Sequence, residues 1–307
     1  MALRFLLHCL KLALPVLALF ALVAWVDPYE LYHGGGPVEH ARKKKNLYHS
    51  GRTMSFSNML WKLIEYRRNP AANVLLGDSR LSYFDTDSLA RVTGDHYYNF
   101  GIPGGNYVTM DHLFRFADSL AHLDHVYLQV SFRGCNTIHS FDSYKEPAAI
   151  LKEPWSYVYN RRVIEAAGLN LYSTLFPNAV EYDVHSTDHW QQVVEAERSG
   201  AEEFQMDSTV FMKLRRVAER CRAEGAQLVL VEYPTHPEIQ AVMRAAGTGP
   251  LRATYLAELR NIAPVIDLDQ PGLFPADRSF WRDPLHLTVE AQQRLIQHIW
   301  VADPSVP

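Results

Sequence analysis

Val74-Leu75-Leu76-Gly77-Asp78-Ser79-Arg80-Leu81-Ser82 decides how this 307-residue chain folds. An apolar run passes through a glycine into Asp-Ser, which predicts a short buried strand ending at the start of a helix. A serine placed there has its hydroxyl at the mouth of a sheet and its own amide free to face a developing oxyanion. A structural reading stands beside this one, in which Asp78 or Ser79 only caps the next helix.

Outward from this stretch the same rhythm repeats. Apolar runs recur at His96–Ile102, His125–Phe132, Gln227–Tyr233 and Pro264–Leu268, with Asn73–Leu76 the first of the five. Helical spacing marks Phe56–Arg68, Asp111–Leu120, Thr209–Glu224 and Leu251–Asn261 between and before them. Short strands alternating with amphipathic helices predict an α/β fold in three layers, a parallel five-stranded sheet with helices on both faces. Ligands of such sheets bind at the carboxyl ends of the strands. Cys135–Gln205 breaks the rhythm. It is rich in Trp, Tyr, Pro and His, has no clear strand, and reads as a mostly helical insertion that packs beside the active edge. Its aromatics suit either sugar stacking or a small core of their own.

Near the other end lies Asp283-Pro284-Leu285-His286-Leu287-Thr288, followed by a helical pattern. Serine is a weak nucleophile until a histidine takes its proton, and the histidine needs a carboxylate to fix its tautomer. Asp283 and His286, three apart on a tight loop, can supply both to Ser79. The alternative is a plain helix entry, with Asp283 turning the chain and Thr288 as cap.

Together these two blocks resemble the first and fifth blocks of the GDSL/SGNH hydrolase family. Asn99-Phe100-Gly101-Ile102-Pro103-Gly104-Gly105-Asn106 is similar to that family's second block. The resemblance implies a flavodoxin-like sheet, Ser79, Asp283 and His286 as catalytic residues, and an oxyanion hole made by the Ser79 and Gly104 amides, without cofactor or metal. The third block departs. Arg133 stands where the family has an oxyanion-binding asparagine, and Asn136 lies three residues on, so either is a candidate donor. Arg80, beside the nucleophile, and His236, after the fourth strand, are candidates for touching substrate; a loop histidine is also commonly a surface residue. Asp183, His185, Asp188 and His189 are of metal-ligating type, but without a ligand frame they read as no metal site.

The N-terminus supplies the setting. From Phe5 to Val26 the chain is apolar apart from His8 and Lys11, and roughly 20 apolar residues span a bilayer. No small-x-small site follows, Leu22-Val23-Ala24 being a poor match, so residues 1–27 read as an anchor rather than a cleaved leader. Trp25, Tyr29 and Tyr32 suit an aromatic belt. Residues 28–72 read as a stalk and leading helix, with Lys43–Lys45 solvated or facing headgroups, and 73–307 as the α/β domain. The basic residues at 42–45 count toward a cytoplasmic catalytic portion, whereas Arg4 ahead of the apolar run favours an extracytoplasmic or periplasmic one, which is the expectation adopted. A net charge of −4 argues against nucleic acid, and three cysteines make no disulfide framework. Within the family, a single anchor resembles the proteins that acylate cell-surface polysaccharides or teichoic acid beside a multi-pass membrane acyltransferase. A plain anchored esterase or lipase and a non-catalytic polysaccharide-binding scaffold are the rival readings.

Overall fold

In the computed structural model, which describes residues 2–48, 54–82, 84–137, 142–177 and 189–301, all five apolar runs form strands. They are β1 (Asn73–Gly77), β2 (Tyr97–Gly101), β3 (His125–Val130), β4 (Gln227–Glu232) and β5 (Val265–Asp267), and two short strands follow, β6 (Trp281–Asp283) and β7 (His286–Leu287). The helices are α1 (Ala2–Val26), α2 (His40–Tyr48), α3 (Met54–Arg68), α4 (Thr86–Thr93), α5 (Tyr107–Asp118), α6 (Lys145–Lys152), α7 (Arg161–Leu175), α8 (His189–Glu202), α9 (Thr209–Glu224), α10 (Pro237–Ala245), α11 (Gly249–Arg260) and α12 (Val289–Ile296).

The chain divides into two units, Met1–Glu65 with Tyr144–Val184, and Tyr66–Ser143 with His185–Pro307. The second holds a five-stranded, all-parallel sheet in the order β2-β1-β3-β4-β5, the flavodoxin-like order. Parallel strands are covered on both faces, which is why β1 is buried at every position and reads as an unbroken apolar run. The strand order reverses between β1 and β3. Crossovers leave the two strands in opposite directions there, opening a crevice at their carboxyl ends, and Ser79 and Arg133 follow those two strands. The core over the sheet joins Leu75, Val229 and Val231 to Trp281, Leu287, Leu295 and Ile299, so the C-terminal hairpin is packed into the same core as β1.

Two expectations shift here. The nucleophile stretch does not enter a helix directly. Asp78 to Ser82 forms successive tight turns, Leu81 N–H donating to Asp78 O (3.1 Å) and Ser82 N–H to Ser79 O (3.2 Å). α4 starts only at Thr86, where the Asp85 side chain caps it. The insertion is also not one piece. Its middle belongs to the first unit, while α8 belongs to the sheet unit.

The first unit is organised by Asp27, which is fully buried. At φ 43° it turns the chain sharply as α1 ends; aspartate tolerates this region better than most residues. Its carboxylate accepts the Leu31, Tyr32 and His33 amides (2.8, 2.9 and 2.8 Å) and the Tyr157 hydroxyl (2.9 Å). The Tyr29 amide donates to that same hydroxyl (2.8 Å). An interaction spanning 130 residues thus ties the insertion to the end of α1. The expected stalk is folded. Lys43 is wholly buried against Glu30 (3.5 Å) and the Gly35 carbonyl (3.3 Å), and Lys44 pairs with Glu65 (2.8 Å). Of the basic run only Lys45 is exposed; Lys43 can be buried because its ammonium meets the Glu30 carboxylate. Tyr29 is likewise buried, in contact with Phe56, Trp61 and Tyr157, and so is not part of an interfacial belt.

Candidate active site

The hairpin of β6 and β7 pairs Asp283 with His286 across an antiparallel register, with Pro284 and Leu285 as the turn. Three contacts fix it. Trp281 is buried and donates its indole N–H to the Pro275 carbonyl (2.8 Å). The Thr288 amide donates to Phe280 O (2.9 Å), and the His236 amide to Pro284 O (2.9 Å). On this frame His286 Nδ1 lies 2.8 Å from both carboxylate oxygens of Asp283. The ring's Nε2 lies 2.7 Å from Ser79 Oγ, a residue 207 positions away. With the Nδ1 proton held by Asp283, Nε2 is left as the acceptor for the serine proton.

Asp283 also accepts the Leu285 and His286 amides (2.9 and 3.1 Å). Burial pushes its carboxyl up, but the His286 hydrogen bond, the imidazole's charge and the Leu285 amide outweigh burial and hold it below the usual carboxylate range. It is the charged partner that a neighbouring imidazolium requires.

A cavity of about 360 Å³ opens beside Ser79, lined among others by Gly104, Asn106, Tyr107, Gln129, Arg133 and Leu285. Gly104 has φ 71°, a left-handed conformation that glycine adopts without strain. Among the described residues neither the Ser79 nor the Gly104 amide has a partner. Asn106 caps α5 by accepting the Val108 and Thr109 amides (3.0 Å each), which starts that helix four residues earlier than its apolar spacing predicts.

The remaining candidates from the sequence have other employment. Arg80 is buried and grips Asp78, through Nε to both carboxylate oxygens (3.1 Å each) and Nη2 to one (2.8 Å), so it is not placed to touch substrate. Burial pushes the Asp78 carboxyl up, but Arg80 more than offsets this and leaves it at about 2. His236 is buried rather than a surface loop residue. Its Nδ1 accepts the Glu238 amide (3.1 Å) and its Nε2 faces the Ala276 carbonyl (3.0 Å), so both ring nitrogens are used within the fold. Asn136 donates to Gly200 O (2.9 Å) and accepts the Gln205 amide (3.4 Å); it does not line the cavity. Arg133 does line it, yet its Nε and Nη2 both bind Glu197 of α8, the former at 2.8 Å. Its charge is therefore matched inside the protein. Glu197 of α8 meets Arg133 at the cavity rim, and among the described residues from Asn136 to Gln205 none lines the cavity, contrary to the expected wall. Asp183, His185 and Asp188 lie outside the described residues, and among those described no group could hold a metal ion. All three cysteines are free thiols.

One residue escaped the sequence reading. Gln129, on β3, is 2% exposed and lines the cavity. Its Oε1 accepts the Asp78 amide (3.1 Å). That bond fixes which way the amide points and leaves Nε2 without a partner among the described residues. A glutamine at the next-to-last position of β3, in the otherwise apolar run Val126–Val130, was the available signal. A Cβ at position 77 would lie 2.3 Å from Gln129 Oε1, so Gly77 is what makes room for it.

No protein-family model and no curated protein matches this sequence. Among solved structures the chain is similar to a candidate platelet activating factor from Streptococcus pneumoniae, at 12% identity and a TM-score of 0.40, covering 80% of this chain and 92% of that one. It is also similar to a lipolytic protein of the G-D-S-L family from Desulfitobacterium hafniense (11%, 0.37, covering 73% and 95%) and to a GDSL-like lipase from Bacteroides thetaiotaomicron (11%, 0.39, covering 80% and 95%). At such low scores the geometry at Ser79 has to carry the functional reading.

Proposed function

We propose that this protein is a serine acyl-transfer enzyme, an esterase or O-acyltransferase of GDSL/SGNH type working through a Ser79 acyl-enzyme. The observation that carries this is the continuous Ser79–His286–Asp283 chain, with contacts of 2.7 and 2.8 Å, opening on a cavity. Ser79 Oγ attacks the acyl carbonyl while His286 Nε2 takes its proton; Asp283 stabilises the imidazolium. The carbonyl oxygen, now negative, is held by the Ser79 and Gly104 amides and by Gln129 Nε2 as a third donor. Collapse expels the alcohol, which leaves with the proton from His286. A second hydroxyl then gives its proton to Nε2, attacks the acyl-enzyme and frees Ser79.

The finer reading is that the second hydroxyl belongs to a cell-surface polysaccharide or polymer and that the chain is held by α1 at the membrane, its catalytic unit outside. What supports an anchor is that α1 is long and apolar enough to cross a bilayer, with Leu12, Leu14, Val16 and Leu17 exposed. What supports an outward catalytic unit is that Lys43 and Lys44, which count toward a cytoplasmic one, are consumed by internal carboxylates. A multi-pass acyl-donating partner goes with the transferase outcome.

The test is fluorophosphonate labelling of the full-length chain in detergent. Adduct at Ser79, absent in Ser79→Ala and strongly reduced in His286→Ala, is expected; an unlabelled wild-type protein would leave a non-catalytic scaffold. Comparing acyl release to water with transfer to added glycans then separates esterase from transferase.

A further inference from the structure

We infer that the 3-10 segment Pro154–Tyr159 is a membrane-embedded ledge, its Trp155 and Tyr159 side chains lying in the headgroup–acyl boundary of a lipid bilayer beside α1. This rests on α1 being a membrane span. α1 is 25 residues long, and about 20 residues cross the hydrocarbon layer. Every window of about that length between Ala2 and Val26, from the one ending at Ala21 to the one beginning at Leu7, contains Phe20. Phe20 therefore lies within the apolar layer however the helix settles along its axis. The Tyr159 ring is 6.4 Å from the Phe20 ring, and the Trp155 ring is 5.1 Å from Tyr159. A segment touching Phe20 cannot stand clear of the bilayer.

Its composition agrees with that depth. Trp155 is 65% and Tyr159 42% exposed, while Tyr157 between them points inward and is wholly buried. Trp25, 57% exposed, and Tyr32, 43% exposed, lie on the stretch where the chain leaves α1, and the Tyr32 hydroxyl donates to Pro154 O (2.7 Å). In water these rings would leave a large apolar area unburied. At a bilayer surface Trp and Tyr are favoured, their rings in the acyl region and their polar tips wet. The lipid is thus the occupant these four side chains fit.

Tryptophan quenching tests this on the full-length chain reconstituted in phosphatidylcholine vesicles. Of the six tryptophans only Trp25 and Trp155 are exposed. Lipid brominated near the headgroup end of its acyl chains should quench both, so Trp155→Phe should remove about half of the quenchable emission. Aqueous iodide should reach neither. If Trp155 emission is quenched by iodide and untouched by bromolipid, or is shielded from both by a second copy, the ledge is wrong. Flotation after an alkaline carbonate wash reads the premise separately. Loss of the chain from the vesicles overturns span and ledge together, whereas a retained chain with unquenched Trp155 overturns the ledge alone.

Discussion

Gln129 reaches the candidate site from within a strand, and the arrangement of its two amide atoms makes a sharp prediction. Oε1 is committed to the Asp78 amide, and Nε2 is buried beside the cavity without a hydrogen-bond partner among the described residues, which leaves it as the donor available to an oxyanion. Gln129→Glu keeps the acceptor for Asp78 but replaces the donor with a carboxylate facing the developing oxyanion. An oxyanion donor is typically worth about 2.7–4 kcal/mol, so turnover should fall at least about a hundredfold. The melting temperature should stay within a few degrees of wild type, and near-normal turnover would remove Gln129 from the hole. Asn136 predicts the opposite pattern. Its amide is spent on the Gly200 carbonyl and the Gln205 amide, so Asn136→Ala should cost stability, about 1–3 kcal/mol for the buried groups left unpaired. Fluorophosphonate labelling of folded Asn136→Ala should proceed at the wild-type rate. A reduced rate with unchanged melting would restore it as an oxyanion donor.

Among the elements, the β6–β7 hairpin is where local sequence and tertiary structure agree most closely. Asp283 and His286 are cross-strand partners, so a few residues hold both ends of the relay, and a proline-containing turn between an aspartate and a histidine is legible before any fold is known. The strands were legible for a similar reason, since burial on both faces leaves an uninterrupted apolar run such as Leu228–Val231. Other features were not legible because they are joined across long sequence distances. Glu197 neutralises Arg133 from 64 residues away, and nothing near Arg133 announces it. Tyr157 meets Asp27 across 130 residues, so the insertion's middle belongs with the end of α1 rather than with the sheet unit. α4 and α10 are short and begin on Asp85 and His236 caps, too brief for apolar periodicity to register. For the hairpin itself, Asp283→Asn keeps an oxygen for the Leu285 and His286 amides but can no longer hold the required tautomer. Turnover at neutral pH should drop by about three to four orders of magnitude with the fold retained. Circular dichroism and acyl-release kinetics on the same preparation check both halves.

At the scale of the whole molecule, the pH dependence of stability turns on Glu232, at the carboxyl end of β4. It is 2% exposed, accepts the Phe132 amide (2.9 Å) and contacts the Tyr255 hydroxyl (2.7 Å), which in turn meets Tyr107 at the cavity wall (3.1 Å). Burial pushes its carboxyl up, the Asp269 charge adds to that, and Arg80, Phe132 and Tyr255 offset them only in part, leaving it at about 8 against an ordinary 4.5. The native state therefore holds a proton that the unfolded chain releases between those two values. Stability from this group is fully present below about 4.5 and is lost as pH rises through about 8, at up to about 1.36 kcal/mol for each pH unit in between. Asp283 and Asp78, with carboxyls held low, act in the opposite sense at acid pH, where protonating them removes their stabilisation. Wild-type protein should accordingly be most stable on the acid side of neutrality and weaken toward pH 8. Glu232→Gln, which fixes the neutral form while keeping an acceptor for Phe132, should flatten that decline, and denaturant melts of the two proteins from pH 5 to 9 are the measurement. Parallel curves for wild type and variant across that range would mean that Glu232 is already ionised in the folded protein, with Arg80 supplying more of its compensation than burial removes.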